Sequence, residues 1–430
     1  MKVLFIGGTC IGLNPVTGLT QKDLSKMRFT RCSWKLLFAV VMAIFQSIGT
    51  CLCFYRLFRM PSSLSALAFV IFFSTASLTT YSFMWIASKW PALMKELISS
   101  KLDEYIDPNV IRKCNIACCG FMGMATMEHV MSIISRIGRI LECNGDTGVD
   151  VGEVFIKVTS PWLYELDVPY IVGLAVVLQY FNIVATATWN YADIFIVNMS
   201  LYLTSILQQI NKKIAATASK NYVPASKWGE LREDYTRAMN LVKRFDDVLS
   251  GIVLISFAND LFFICMQLYN ILANNIRTTQ VLTKMCPAYE NSKFHSMCIS
   301  TVLFKNYKVS LLLKTRLKFS FSSYTRYYIY PAYLTYSSVY LFVRFLAVAL
   351  VAARIHSASL VPGPILFAVP ATSYCKEVER FQNQVNDGVV VAFSGLHFFY
   401  ITRDLVLTIA GTIVTYELVL LQFSTDDGKS

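Results

Sequence analysis

Charge is scarce in this chain. Asp, Glu, Lys and Arg make up 15% of its 430 residues, against roughly 25% in a soluble domain. With 55% hydrophobic residues and a mean hydropathy of +0.49, this excludes an ordinary soluble fold. Histidine is rarer still. The four histidines are not spaced with Cys, Asp or Glu as a metal site requires. No Walker loop cradles a phosphate and no GxSxG elbow presents a serine nucleophile. An enzyme and a cofactor are therefore not expected. The 12 cysteines form no CxxC pair with a His or a second CxxC partner. Cys51, Cys53, Cys118, Cys119 and Cys265 lie in apolar stretches, where cysteine acts as a small hydrophobe. The net charge of +12 comes with no nucleic-acid motif. It fits instead the Lys and Arg that gather in the cytoplasmic loops of membrane proteins. A signal peptide is not read at the N-terminus, because Gly7, Gly8, Asn14 and Pro15 interrupt its short apolar start.

What the chain has is long apolar runs. Seven are of spanning length: 36–58, 64–87, 116–137, 168–189, 252–272, 332–353 and 402–423. The third is the most polar, carrying Glu128, His129 and Arg136. The fold class expected is an all-α, seven-transmembrane helical bundle.

Lys and Arg set its orientation. Lys22, Lys26, Arg28, Arg31 and Lys35 precede the first span. Lys89, Lys95, Lys101, Arg112 and Lys113 lie between the second and third. Lys212, Lys213, Lys220, Lys227, Arg232, Arg237, Lys243 and Arg244 lie between the fourth and fifth. These segments share one side, which is therefore cytoplasmic. The acidic loop 141–167, with Lys157 as its one base, falls outside. The N-terminus is then intracellular and the C-terminus extracellular. A G-protein-coupled receptor has the opposite orientation, and the DRY-like and NPxxY-like signatures of the rhodopsin type are also missing. The sequon at Asn198 falls on the inner side and is expected to stay unglycosylated.

The domains that follow are a cytoplasmic segment 1–35, spans one to five over 36–272, an atypical basic extracellular insertion over 273–331, spans six and seven over 332–423, and a tail 424–430. The insertion carries Arg277, Lys284, Lys293, Lys305, Lys308, Lys314, Arg316, Lys318 and Arg326 against Glu290 alone. Its apolar part, 299–313, is broken by Lys305 and Lys308 and is not counted as a span. The stretch reads as a true insertion or as translated intron. Below the membrane, 190–213 and 228–250 have helical periodicity and extend the fourth and fifth spans. A charged helical stretch follows at 374–380. Apolar stripes on helices below the bilayer need partners, so an intracellular bundle that joins subunits is expected.

The last span carries Thr408, Thr412, Thr415, Tyr416, Glu417 and Gln422. Polar groups in hydrocarbon must find a partner or water, so this helix faces protein or a water-filled path.

Its closing TYELVLLQF resembles the signature of the insect gustatory receptor family. Glu128-His129, TWNYADIF at 188–195, SFANDLFFICMQL at 256–268, YCKEVERF at 374–381 and SGLHFFYITRD from Ser394 resemble its sugar, or sweet-taste, branch. The resemblance implies a ligand-gated, non-selective cation channel in the plasma membrane of gustatory receptor neuron dendrites. It implies a homotetramer or a heterotetramer with related receptors, with the last helix of each subunit lining a central pore. The partners expected are a mono- or disaccharide, membrane lipid and permeant cations, with no nucleic acid. Thr415, Tyr416, Leu420, Gln422 and Phe423 are then the pore and gate candidates. A ring of Gln422 amides offers oxygens to a hydrated cation without a fixed charge, and Leu420 or Phe423 forms an apolar constriction. The alternative for Tyr416 and Gln422 is hydrogen bonding between helices. A sugar needs polar groups and an aromatic face. The outer-half candidates are Glu128, His129, Gln179, Asn182, Asn259, Asp260, Gln267, Tyr336, Tyr340 and Arg344. For Asp260 and Arg344 the alternative is a structural ion pair. Trp189, Asn190 and Asp193 are expected to tie helices together. A metabotropic or non-sugar chemoreceptor of the same family is the alternative function.

Overall fold

The computed structural model describes residues 2–17, 28–30, 32–59, 64–143, 150–164, 166–285 and 329–426. The described chain is almost entirely helical. The long helices are α2 (Trp34–Arg59), α3 (Leu64–Ser99), α4 (Val110–Cys143), α7 (Val172–Ala218), α8 (Ala225–Met285), α9 (Tyr330–Leu360) and α12 (Arg403–Asp426). The short ones are α1 (Lys2–Cys10), α5 (Val151–Thr159), α6 (Pro161–Tyr164), α10 (Pro362–Phe367) and α11 (Lys376–Asn386).

Six segments are long and apolar enough to cross a membrane: Trp34–Arg59, Ala66–Ser99, Val110–Gly138, Val172–Ala218, Ala225–Tyr269 and Tyr330–Phe367. They overlap the first six expected spans, containing 36–58, 116–137 and 332–353 whole. Helix α12 has 24 residues, about 36 Å at ~1.5 Å per residue, and is of spanning length. The chain is a multi-pass, helical membrane protein. Several hydroxyls within the spans return to their own helix: Thr80, Thr186 and Thr188 donate to the carbonyls four residues back, at 2.9, 3.0 and 2.9 Å. That keeps their polar groups satisfied away from water.

Several sequence expectations change. Helix α1 runs through Gly7 and Gly8 and stops only before Gly12, whose φ of +82° ends it. A two-residue antiparallel pair, β1 (Val16–Thr17) with β2 (Arg28–Phe29), interrupts the all-α pattern. The acidic loop 141–167 contains α5 and α6, and the Asp150 side chain caps α5 by accepting from Gly152 N at 3.0 Å. Helix α8 continues past the expected boundary at Leu272 to Met285. Positions 286–328, which hold most of the basic insertion, lie outside the described residues. Asn198 is buried and its amide donates to Ile194 O at 2.7 Å, so its nitrogen is already committed.

The chain forms two compact units. The first comprises Met1–Met122, Phe181–Asp260 and Val343–Gly411; the second comprises Gly123–Tyr180, Leu261–Phe342 and Thr412–Ser430. The first unit is built around α7, which is buried on every side from Asn190 to Ser200. A segment buried all round lies in a core, and Asn190, Asp193 and Asn198 are buried with it. Phe195 meets Phe83 at 5.2 Å and Trp90 at 5.7 Å between ring centroids. Phe5 of α1 joins this cluster at Trp90, 5.9 Å away. On the side assigned to the cytoplasm, α11 buries Val378, Phe381, Gln382 and Val385, the one-face spacing of an amphipathic helix. Tyr235 donates to Ser359 O and Asn211 to Ala358 O, both at 2.7 Å, joining α8 and α7 to the end of α9. Arg232 pairs with Glu377 at 3.0 Å and ties α11 to the same bundle.

Candidate functional site

Among the described residues, the polar candidates gather mainly in two clusters inside the apolar helices, one in each unit. In the first unit, Arg344 of α9 is 2% exposed. Its Nε lies 3.0 Å from Asp193 Oδ2, and its Nη1 donates to Asn190 Oδ1 at 2.9 Å. Its Nη2 donates to Asp260. The guanidinium also lies over the Trp189 ring, 4.1 Å from its centroid. Trp189 Nε1 donates to Asp260 Oδ1 at 3.0 Å, and Ser256 donates to Asp193. Beside them Thr75 of α3 donates to Asn259 Oδ1 at 2.9 Å. The spacing explains the convergence. Trp189 and Asp193 are one turn apart on α7, as are Ser256 and Asp260 on α8, so each pair shares a face.

This network is paired by charge: Asp193 Oδ2 and Arg344 Nε face one another at 3.0 Å as an ion pair rather than as an aligned hydrogen bond. A planar guanidinium spans two carboxylates as a lysine does not. Each carboxylate takes a further donor, Ser256 for Asp193 and Trp189 for Asp260. Burying such ions without these partners costs several kcal/mol. Asp260, Arg344 and Asn259, chosen from the sequence as ligand contacts, are therefore engaged with protein. Trp189, Asn190 and Asp193 do tie helices together.

The second unit holds a looser cluster between α4, α8 and α9. Ser337 donates to Glu128 Oε1 at 3.0 Å and accepts from Gln267 Nε2 at 3.3 Å. Tyr333 lies beside Ser132 and Ser337. Tyr336 donates to Met124 O at 3.1 Å, and its ring lies near parallel to Tyr340, with centroids 6.3 Å apart. Glu128 and His129 are half-buried. His129 Nε2, Gln179 Oε1 and Tyr164 Oη are buried atoms without a hydrogen-bond partner among the described residues. Glu128, Tyr336, Tyr340 and Gln267 are thus brought together as the sequence suggested, and His129 adjoins Glu128 on α4. Gln179 belongs to the same unit, whereas Asn182 belongs to the first, where its carbonyl accepts from Thr186.

Sequence reasoning missed Tyr333, Ser337 and Ser132. Their spacing carried the signal. Tyr333, Tyr336, Ser337 and Tyr340 follow a one-face pattern on α9, and Glu128 and Ser132 do so on α4.

Helix α12 presents Asp404, Thr408, Thr412 and Thr415 as exposed in the single subunit. The side chains of Tyr416, Glu417, Leu420, Gln422 and Phe423 lie outside those described. Metal-binding groupings of three or more His, Cys, Asp or Glu are absent among the described residues.

Against known proteins, a family model described as "Trehalose receptor" matches residues 1–283 and 315–430. This chain belongs to the trehalose receptor family. The match closes around 284–314, inside the basic stretch singled out as an insertion. The chain is 28% identical over 419 residues to the gustatory receptor for sugar taste 64f of Drosophila melanogaster, covering 96% of this chain and 78% of that one. It is 26% identical over 423 residues to the gustatory receptor 5a for trehalose of the same fly, covering 97% and 83%. Among solved structures it is similar to the insect olfactory receptor OR5 from Machilis hrabei, with a TM-score of 0.63 at 12% identity over 98% of this chain and 97% of that one. At that identity the likeness establishes the helical fold alone. The chain is a gustatory receptor of the sugar and trehalose branch, not an enzyme.

Proposed function

We propose that this gustatory receptor is a subunit of a sugar-gated, non-selective cation channel that serves sweet taste. The observation that carries the reading is the pairing of near full-length similarity to sugar-taste receptors with a polar cluster around Glu128, in a unit that keeps unspent buried hydrogen-bonding groups. A sugar presents several hydroxyls and an apolar C–H face. Glu128, His129 and Gln179 supply acceptors and donors, and the Tyr336–Tyr340 pair supplies aromatic surface. Binding one conformation more tightly shifts the population toward it. Millimolar affinity, about −4 kcal/mol, suffices for an abundant dietary sugar.

The exposed face of α12 supports the second half of the reading. Asp404, Thr408, Thr412 and Thr415 recur along one side of that helix. A polar stripe of this kind is unfavourable against lipid and favourable against water or a partner helix. In a homotetramer or heterotetramer, copies of this face would surround a central path, with Thr415, Tyr416, Leu420, Gln422 and Phe423 along it. The dendritic plasma membrane of gustatory neurons is the expected location.

Excised patches from cells expressing the chain, tested with trehalose and other mono- and disaccharides without GTP, decide the mechanism. Rapid cation current is expected. A response that needs GTP points to a metabotropic receptor, and sugar uptake without current points to a transporter. Gln422→Ala is expected to change single-channel conductance or gating by severalfold; unaltered conductance and gating removes Gln422 from the pore.

A further inference from the structure

The loop between α11 and α12 is held in a strained corner, and α8 holds it. Leu396 and His397 have φ of +49° and +63°, the left-handed region that side chains avoid. Gly395 tolerates no side chain, since a Cβ there would lie 2.4 Å from Phe399 Cζ. The corner is pinned by Asp246 of α8, which is 5% exposed. Its carboxylate accepts from Ser394 N at 2.6 Å and from Ser394 Oγ at 2.8 Å. Ser394 Oγ in turn accepts from His397 N at 3.3 Å. Gly395 N donates to Phe399 O at 3.0 Å, and Ile401 N donates to Phe393 O at 2.8 Å. Phe399 packs against Phe257 of α8, with centroids 5.6 Å apart. The other side of the loop borders a cleft of about 630 Å³ lined by Glu96, Lys243, Arg244 and Asp247.

Two residues past Ile401 the last helix begins. From Asp246, α8 continues without a break through Ser256, Asp260 and Gln267. We propose that Asp246 is the positioning residue that couples α8 to the last helix, so that displacement of α8 by bound sugar is transmitted through Ser394 to the start of α12. Two charge-assisted bonds on one serine, backed by a corner that strain keeps from relaxing gradually, make a stiff joint. This rests on the reading of α12 as the pore helix. It also accounts for the SGLHFF pattern: Ser394 binds Asp246, Gly395 makes room for Phe399, Leu396 and His397 turn the chain, and Phe399 docks on Phe257.

The test uses the full-length chain in nanodiscs, with trehalose as the probe. Trehalose affinity, amide exchange of 393–410 with and without trehalose, and trehalose-evoked current are measured for the wild type, Asp246→Ala, Asp246→Asn and Ser394→Ala. Asp246→Ala is expected to speed exchange of the 394–401 amides about tenfold or more, the loss of a charge-assisted bond. It is expected to leave affinity within about twofold while abolishing the trehalose-dependent change in α12, since tenfold needs only about 1.4 kcal/mol. Asp246→Asn, whose amide oxygen still accepts from Ser394 N, is expected to recover most of the coupling. Should Asp246→Ala fail to fold, Ser394→Ala, which removes one bond and keeps the other, is expected to show the same split at smaller size. An unchanged trehalose response of α12 in Asp246→Ala or Ser394→Ala overturns the proposal, as does a loss of affinity matching the loss of coupling. A wild type whose α12 responds to trehalose without current refutes the channel reading and leaves the joint standing.

Discussion

Arg344 and Glu128 are both charged residues within membrane-spanning helices, and their surroundings differ in kind. Arg344 is met by two carboxylates, an amide and an indole face, and each carboxylate has a further donor. Glu128 is half-buried, with Ser337 on one oxygen, and unspent polar atoms remain at His129, Gln179 and Tyr164 within the same unit. In the first arrangement every charged group faces an opposite charge within the protein. In the second, on the function proposed above, a ligand would supply partners the protein does not. An intramembrane charge is therefore not a binding site by virtue of its charge, and what separates the two cases is how much hydrogen-bonding capacity the protein has already used.

The comparison breaks most readily at Arg344. Arg344→Met leaves Asp193 and Asp260 buried without their cation, which costs about 3–5 kcal/mol. Surface expression and the thermal midpoint are expected to collapse together. Replacing the whole set, with Asp193→Leu and Asp260→Leu added, is expected to recover folded protein, because apolar replacement of an entire buried ion cluster is often neutral. A well-folded Arg344→Met receptor that fails only in sugar response would move Arg344 into the ligand site.

Glu128→Gln and His129→Ala sharpen the other side. Each is expected to raise the half-activating sugar concentration about tenfold, the worth of roughly 1.4 kcal/mol of lost hydrogen bonding. Surface expression and thermal stability should stay near wild type. Instability resembling that of Arg344→Met would place the two clusters in one class.

The smallest effect belongs to a third kind of charge, the half-buried Glu377 of α11. The guanidinium of Arg380, and then that of Arg232, hold the Glu377 carboxyl below its ordinary value of 4.5. A depressed carboxyl contributes stability that is fully present above the unfolded value and is lost as pH falls through the folded one. A thermal-midpoint series is therefore expected to be flat in this contribution above about pH 5 and to fall below pH 4.5, the ordinary carboxyl value. Glu377→Gln should flatten that part of the fall; an equal fall in the variant assigns it to other carboxylates.

The difference in legibility between these regions has a physical basis. Helix α2 and the spans of α3, α7 and α9 announce themselves as apolar runs, since the bilayer demands about 20 apolar residues whatever the neighbours are. Helix α11 was legible as a charged stretch, and its buried face repeats at helical spacing. The continuity of α8 past Leu272 was not legible. The polar run Asn274, Asn275 and Arg277 reads as the end of a span, although a helix needs no hydrophobic environment to continue once formed. The residues beside Glu128 were half legible. Glu128 stood out as an acid in an apolar run, whereas Tyr333 and Ser337 look like ordinary span residues until α4 lies beside them.

Composition and periodicity alone determined that this is a many-spanning helical protein, and set the expected facing of its basic loops. Those properties depend on each segment's own affinity for lipid or water, which is local and additive along the chain. Only the tertiary structure decided which polar residues close upon one another. Asp260 could have faced a sugar or Arg344, and both options satisfy the same local chemistry. The choice rests on α7, α8 and α9 bringing Asp193, Asp260 and Arg344 within hydrogen-bonding reach, a non-local geometry that no single segment encodes.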